Sequence, residues 1–184
     1  GVELTVTDLK TKEQLAPALK QLSKYKNIAY VLGEHRLEDF NNKDLIIRAP
    51  NAPLDSIYLK EAEKNGIEVD QDASLFCKLA PSGVKIVGIT GTRGKSTVTH
   101  LLYEILKASK KQVWLAGNVR GTATLPLLKK VKAGDYVVME LDSWQLQSFT
   151  TFSPHLAIFT TFMNDHQNNY KGSMERYFAD KANI

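Results

Sequence analysis

Apolar positions along this chain recur in two rhythms that take turns, a strand-like alternation and a helix-like spacing of three to four. Glu3 to Asp8 reads as a strand ending in an acid, residues 12–24 as a helix weakened by Pro17, and Asn27 to Leu32 as a strand stopped by Gly33. Asp44 to Arg48 predicts a short buried strand, and a turn-rich stretch follows from Ala49 to Pro53. Ser56 to Asn65 then predicts a helix with Gly66 as its C-cap, and Ile67 to Val69 a further short strand. The pattern breaks at Ala80-Pro-Ser-Gly83 and then resumes. Strands are expected near 84–89, 112–116, 136–141 and 155–162, helices near 96–108 and 122–131, and a last helix with Ser173 as N-cap. This alternation predicts an α/β fold with parallel sheets, in two linked domains spanning 1–80 and 81–184.

Composition narrows the class. With 184 residues, 43% hydrophobic and 24% charged, the chain is an ordinary globular one. No apolar run approaches the roughly 20 residues of a membrane span, so no membrane partner is expected. The lone cysteine, Cys77, excludes an internal disulfide and points to a reducing, cytoplasmic setting. Charge is uneven: residues 1–80 carry 11 Lys+Arg against 13 Asp+Glu, and residues 81–184 carry 13 against 7. The basic half has no cationic run interleaved with aromatics, so nucleic acid is not an expected partner either.

Candidate chemistry gathers where strands end, which is where open parallel sheets bind ligands. The apolar run Lys85-Ile-Val-Gly-Ile-Thr90 leads into Gly91-Thr-Arg-Gly-Lys-Ser-Thr97 and then an amphipathic helix. That order predicts a phosphate-binding loop. Gly91, Thr92 and Gly94 would let backbone N–H groups close on phosphate oxygens, Lys95 would reach the terminal phosphates, and Ser96 and Thr97 would present hydroxyls, Ser96 to Mg²⁺. The glycine spacing departs from the usual motif, with Ile89 five residues before Gly94. The next strands end at Gly117-Asn118, at Glu140-Leu-Asp-Ser143 and before Asn164-Asp-His166. Glu140 and Asp142 compete as a second metal ligand. His166 is a ligand or a solvent-exposed side chain. Asp8 either contacts a ribose or base or simply caps its strand. Lys181 shares the apolar face of its helix with Met174, Tyr177 and Phe178, so it either snorkels or is desolvated and chemically altered.

Taken together, Thr90-Gly-Thr-Arg-Gly-Lys-Ser-Thr97, Gly117-Asn118, Glu140-Leu-Asp-Ser-Trp-Gln-Leu146, Asp165-His166 and Gly172-Ser-Met-Glu-Arg-Tyr177 with Lys181 resemble the Mur ligases, above all their D-glutamate-adding group. The match is dense in motifs from about 85 to 184 and weaker from 1 to 80. The resemblance implies a Rossmann-like UDP-binding domain that lacks its first strand, Gly-rich turn and helix, followed by part of the P-loop ATPase domain. A third domain would be absent, and such a fragment alone is not expected to turn over. It further implies ATP-dependent amide formation, in which D-glutamate joins UDP-N-acetylmuramoyl-L-alanine through an acyl phosphate, with two Mg²⁺ ions, in a cytoplasmic monomer. Lys95, Ser96 and Thr97 would hold ATP; Ser96 and Glu140 would hold one Mg²⁺, and His166 and a carbamylated Lys181 the other. Lys95, His166 and Lys181 would thus be the catalytic set. Asn118 would touch the muramoyl-alanine moiety, with Asp142, Ser143 and Gln145 also on the substrate side, and Asp8 would lie near the uracil. Arg93, Asp142, Thr161 and Asn168 depart from the group's pattern. A folylpolyglutamate or poly-γ-glutamate synthase, or a non-catalytic nucleotide-binding module, are the alternatives.

Overall fold

The computed structural model describes residues 2–50, 52–165 and 170–184. The chain divides into two compact units, Gly1–Ile46 with Ala52–Val69, and Ile47–Asn51 with Asp70–Ile184.

In the first unit β1 (Leu4–Asp8) and β2 (Ile28–Leu32) run parallel, Leu4 opposite Ile28 and Asp8 opposite Leu32, with α1 (Ala16–Leu22) between them in sequence. The helix is shorter than the expected 12–24. Pro17 stands in its first turn, where a missing N–H costs nothing, so the proline starts the helix instead of weakening it. Further on, β3 (Leu45–Ile47) pairs with β4 (Glu68–Asp70), and α2 (Ile57–Lys64) intervenes, N-capped by Ser56, whose hydroxyl accepts from the Leu59 N–H at 3.2 Å. Tyr58 on α2 packs edge-on to His35 and against Phe40, with ring centroids 5.2 and 5.3 Å apart. His35 also meets the Thr7 hydroxyl at 2.7 Å through Nδ1.

The second unit begins with α3 (Asp72–Leu79), a helix the sequence pattern did not suggest. Its apolar side buries Ala73, Phe76 and Cys77 with Val84, Ile86 and Met139. That packing moves the division of the chain from the expected residue 80 back to Asp70. Four parallel strands follow: β5 (Lys85–Thr90), β6 (Val113–Gly117), β7 (Tyr136–Glu140) and β8 (Leu156–Phe159), in the spatial order β6-β7-β5-β8. β5 and β7 are near-continuous apolar runs because both faces of the sheet are covered. Ile86, Val137 and Met139 face α3, while Val87, Ile89 and Val138 face α4 (Lys95–Ala108) through Val98, Leu102 and Leu106. The expected helix at 122–131 is only a 3-10 turn over Leu125–Lys129, opened by Pro126. Among the described residues two further helices stand beyond the strand ends, the one-turn α5 (Ser143–Leu146) and α6 (Met174–Ala182), the latter capped by Ser173 as expected. Placing the β5–α4 junction in the middle of the sheet puts its turn beside the ends of β7 and β8.

Candidate nucleotide-binding site

The turn from β5 into α4 has the backbone of a phosphate cradle. Gly91 and Gly94 take φ of +138° and +85°, a region costly for residues with a Cβ. A Cβ on Gly91 would also fall on the hydroxyl of Thr160. The loop is clasped from the end of β8. Thr92 N–H donates to Thr161 O at 2.7 Å, Arg93 N–H donates to Thr161 Oγ1 at 3.0 Å, and the Arg93 carbonyl accepts from Thr160 Oγ1 at 2.6 Å and Thr161 Oγ1 at 3.1 Å. Strand β8 ends at Phe159, short of the expected 162; Thr160 N–H still donates to the Thr90 carbonyl at 2.9 Å, while the Thr160 and Thr161 hydroxyls turn to hold the loop.

Within this cradle Lys95 folds back on its own loop, its Nζ donating to the carbonyls of Gly91 at 3.0 Å and Thr92 at 3.3 Å. Ser96 and Thr97, in the first turn of α4, are exposed. Thr92 is buried, and its hydroxyl is engaged with Met163 and with the Tyr177 hydroxyl at 3.2 Å, so its side chain anchors the loop.

Lys181 does not snorkel. It is 1% exposed, and its Nζ donates to Gly91 O at 2.9 Å and to Thr90 Oγ1 at 3.4 Å, 4.9 Å from the centroid of the Tyr177 ring. Burial, with a smaller contribution from the Lys95 charge, lowers its pKa to about 8, against the opposing pull of Asp142 and Asp165. The amine thus sits under the phosphate loop, one carbonyl away from Lys95.

Glu140 ends β7, opposite Ile89 on one side and Gly117 on the other. It is 5% exposed, yet among the described residues nothing donates to its carboxylate. An acid at the end of the strand beside the loop, with no donor among the described residues, fits a metal ligand. Gly117, at φ +76°, packs so closely that a Cβ would meet the Glu140 carbonyl, which accepts from the Asn118 N–H at 2.7 Å. The Asn118 side chain is exposed.

Asp142 is the N-cap of α5. Its Oδ1 accepts from the N–H groups of Trp144 at 3.0 Å and Gln145 at 3.1 Å, and Gln145 Oε1 accepts from the Asp142 N–H at 3.3 Å. This capping box commits Asp142 Oδ1 and Gln145 to the turn, and Ser143 and Gln145 are buried. Of the two acids that competed for the metal, Glu140 is the one whose carboxylate the fold leaves unspent. Asp8 belongs to the first unit, where its Oδ1 accepts from the Lys10 N–H at 2.8 Å and closes a turn after β1. His166 lies outside the described residues, as does Asn168.

Three groups of residues around the site were given no such role from sequence. Thr160 and Thr161 hold the loop; Thr161 stood out only as a departure from the family pattern, and Thr160 only as a polar residue at a strand end. Tyr177 joins the loop to α6 through its hydroxyl. Behind α5, Arg48 and Gln71 reach the Trp144 carbonyl at 3.2 and 2.7 Å, Arg48 also reaches Gln147 at 3.0 Å, and Gln147 donates to Asp180 beside Lys181 at 2.6 Å. Burial lowers the Arg48 pKa from its ordinary value.

A glycine-rich strand-to-helix loop in the middle of a parallel sheet, with a buried acid ending the next strand, defines an α/β protein whose central turn has the geometry of a P-loop. Residues 89–184, just over half of the chain, match the Mur ligase middle domain, and the chain belongs to the Mur ligase family. It is 38% identical over 185 residues to UDP-N-acetylmuramoylalanine--D-glutamate ligase of Borreliella burgdorferi (strain ZS7), covering all of this chain and 39% of that protein. The protein of the same name from Treponema pallidum (strain Nichols) is 37% identical over 195 residues, covering 98% of this chain and 36% of the relative. The chain therefore spans well under half the length of these relatives. Among solved structures, UDP-N-acetylmuramate:L-alanyl-gamma-D-glutamyl-meso-diaminopimelate ligase from Neisseria meningitides superposes with a TM-score of 0.58 at 14% identity, over 96% of this chain and 58% of that one, a likeness of fold. No helix among the described residues is long and apolar enough to cross a membrane.

Proposed function

We propose that this chain is the nucleotide-handling part of an ATP-dependent amide ligase that joins D-glutamate to UDP-N-acetylmuramoyl-L-alanine in peptidoglycan precursor synthesis in the cytoplasm. The observation that carries the reading is the pairing of the phosphate loop with Glu140, a buried carboxylate with no described donor on the adjoining strand end. The names borne by relatives that match the whole chain support the choice of substrates.

The loop N–H groups and Lys95 bind the triphosphate, with Lys95 exchanging its present carbonyl contacts for phosphate oxygens. Ser96 and Glu140 would hold Mg²⁺, which when bound supplies positive charge against the phosphates. With the triphosphate so held, the substrate carboxylate attacks the γ-phosphorus and ADP leaves. The amine of D-glutamate then attacks the acyl carbon of the acyl phosphate, and inorganic phosphate departs. Lys181 stands ready for carbamylation: only the neutral amine adds CO₂, and a pKa of about 8 leaves a useful neutral fraction at cytoplasmic pH. The carbamate and His166 would hold a second Mg²⁺. Asn118 contacts the muramoyl-alanine moiety and Asp8 the uracil, while Asp142, Ser143 and Gln145 shape the substrate side through the capped turn of α5.

The test is ADP release by the full-length protein. Turnover is expected with UDP-N-acetylmuramoyl-L-alanine plus D-glutamate and lost in Glu140→Ala and Lys181→Ala. Turnover confined to a folate or polyglutamate acceptor would overturn the substrate choice, and ATP binding without any turnover would favour a regulatory module.

A further inference from the structure

Arg93 is the one cationic side chain of the phosphate loop that the reading above leaves without a task. Its main chain is the most firmly held in the loop: the N–H donates to Thr161 Oγ1, and the carbonyl accepts from both Thr160 Oγ1 and Thr161 Oγ1. The side chain is exposed, and its guanidinium has no hydrogen bond or ion pair with any described residue. An exposed arginine on a mobile loop would be an ordinary solvated charge. Here the base is rigid, so placing the guanidinium on a ligand orders only the side chain. The next residue, Gly94, turns the chain at φ +85° into the N-terminus of a 14-residue helix, and the residue after it is Lys95. Lys95 is a point charge already directed at the loop's interior carbonyls. Arg93 adds a planar fork of donors that suits two oxygens of one phosphate.

We propose that Arg93 is a phosphate-contacting residue of the ATP site, binding the triphosphate bidentately alongside Lys95. This rests on the reading of the loop as an ATP site. The clasp of Thr160 and Thr161 holds the backbone from which that fork extends, and it gives a purpose to two threonines that otherwise only tie a strand end to a loop.

The experiment measures ATP binding by calorimetry on the full-length protein and on R93Q, R93K and K95A. R93Q is expected to melt at the wild-type temperature, because its guanidinium has no protein partner to lose, and to bind ATP about tenfold more weakly, the loss of a charge-assisted pair. R93K restores the charge without the fork and should recover only part of that loss. Wild-type affinity in R93Q, with affinity lost in K95A, overturns the proposal and leaves the ATP site standing. Full recovery in R93K overturns the bidentate contact. Undiminished ATP binding in K95A overturns the reading of the loop, and the role of Arg93 with it.

Discussion

Replacing Lys181 by Met gives the sharpest test of how the buried amine is held. Below pH 8 the ammonium is charged in both the folded and the unfolded chain, so the full cost of burying it is present. Above a lysine's ordinary 10.5 the amine is neutral in both states and that cost is gone. Between these values the unfolded chain binds more proton than the folded one, so stability rises with pH, by about 1.4 kcal/mol per pH unit and about 3 kcal/mol in all. Methionine has nearly the same reach and carries no proton. It forfeits the hydrogen bonds to Gly91 and Thr90, worth about 1 kcal/mol net. At pH 7 the variant should therefore be the more stable protein by about 2 kcal/mol, and at pH 10 its advantage should be gone. Urea unfolding of both proteins at pH 7, 8, 9 and 10, in buffers freed of CO₂ so that the amine stays bare, isolates the effect, because every other titrating group cancels in the difference. A difference that does not change with pH would refute the depressed pKa. A variant less stable at pH 7 would show that the contacts to the loop outweigh desolvation.

Gly117→Ala forces a Cβ onto the Glu140 carbonyl at a positive φ and should cost well over about 1 kcal/mol, read by thermal unfolding. Asp142→Ala removes the N-cap of α5 and should cost about 1 kcal/mol in the same measurement, with Asp142→Asn nearly neutral. Arg48→Met removes the donor to the Pro50 carbonyl and one of two donors to the Trp144 carbonyl, which keeps Gln71, and should destabilise by about 1–2 kcal/mol in urea, without shifting the pH dependence assigned to Lys181.

The phosphate loop was legible because its parts are contiguous: an apolar strand, glycines with Lys95 and Ser96, and an amphipathic helix follow one another within a few residues. Glu140 was legible for the same reason, as an acid closing an apolar strand. α3 escaped notice because eight residues give little periodicity. Its helix exists through a capping box and the burial of Phe76 against a sheet formed later in the chain. The threonine clasp and the Arg48 network were hidden because their partners lie far apart along the chain: 68 residues separate Arg93 from Thr161, and 96 separate Arg48 from Trp144.

By itself, then, the sequence determined the α/β alternation, the place of the loop and which residue types could do chemistry, since propensity, periodicity and short motifs act over neighbouring residues. Only the tertiary structure decided which of those side chains remain available. It committed Asp142 Oδ1 to a helix cap and left the Glu140 carboxylate without a described donor. It turned Lys181 from a residue that could snorkel into one buried beneath Gly91. The reason is physical: a side chain's charge state and free valence depend on what packs around it, and that is settled by strands and helices meeting from distant parts of the chain.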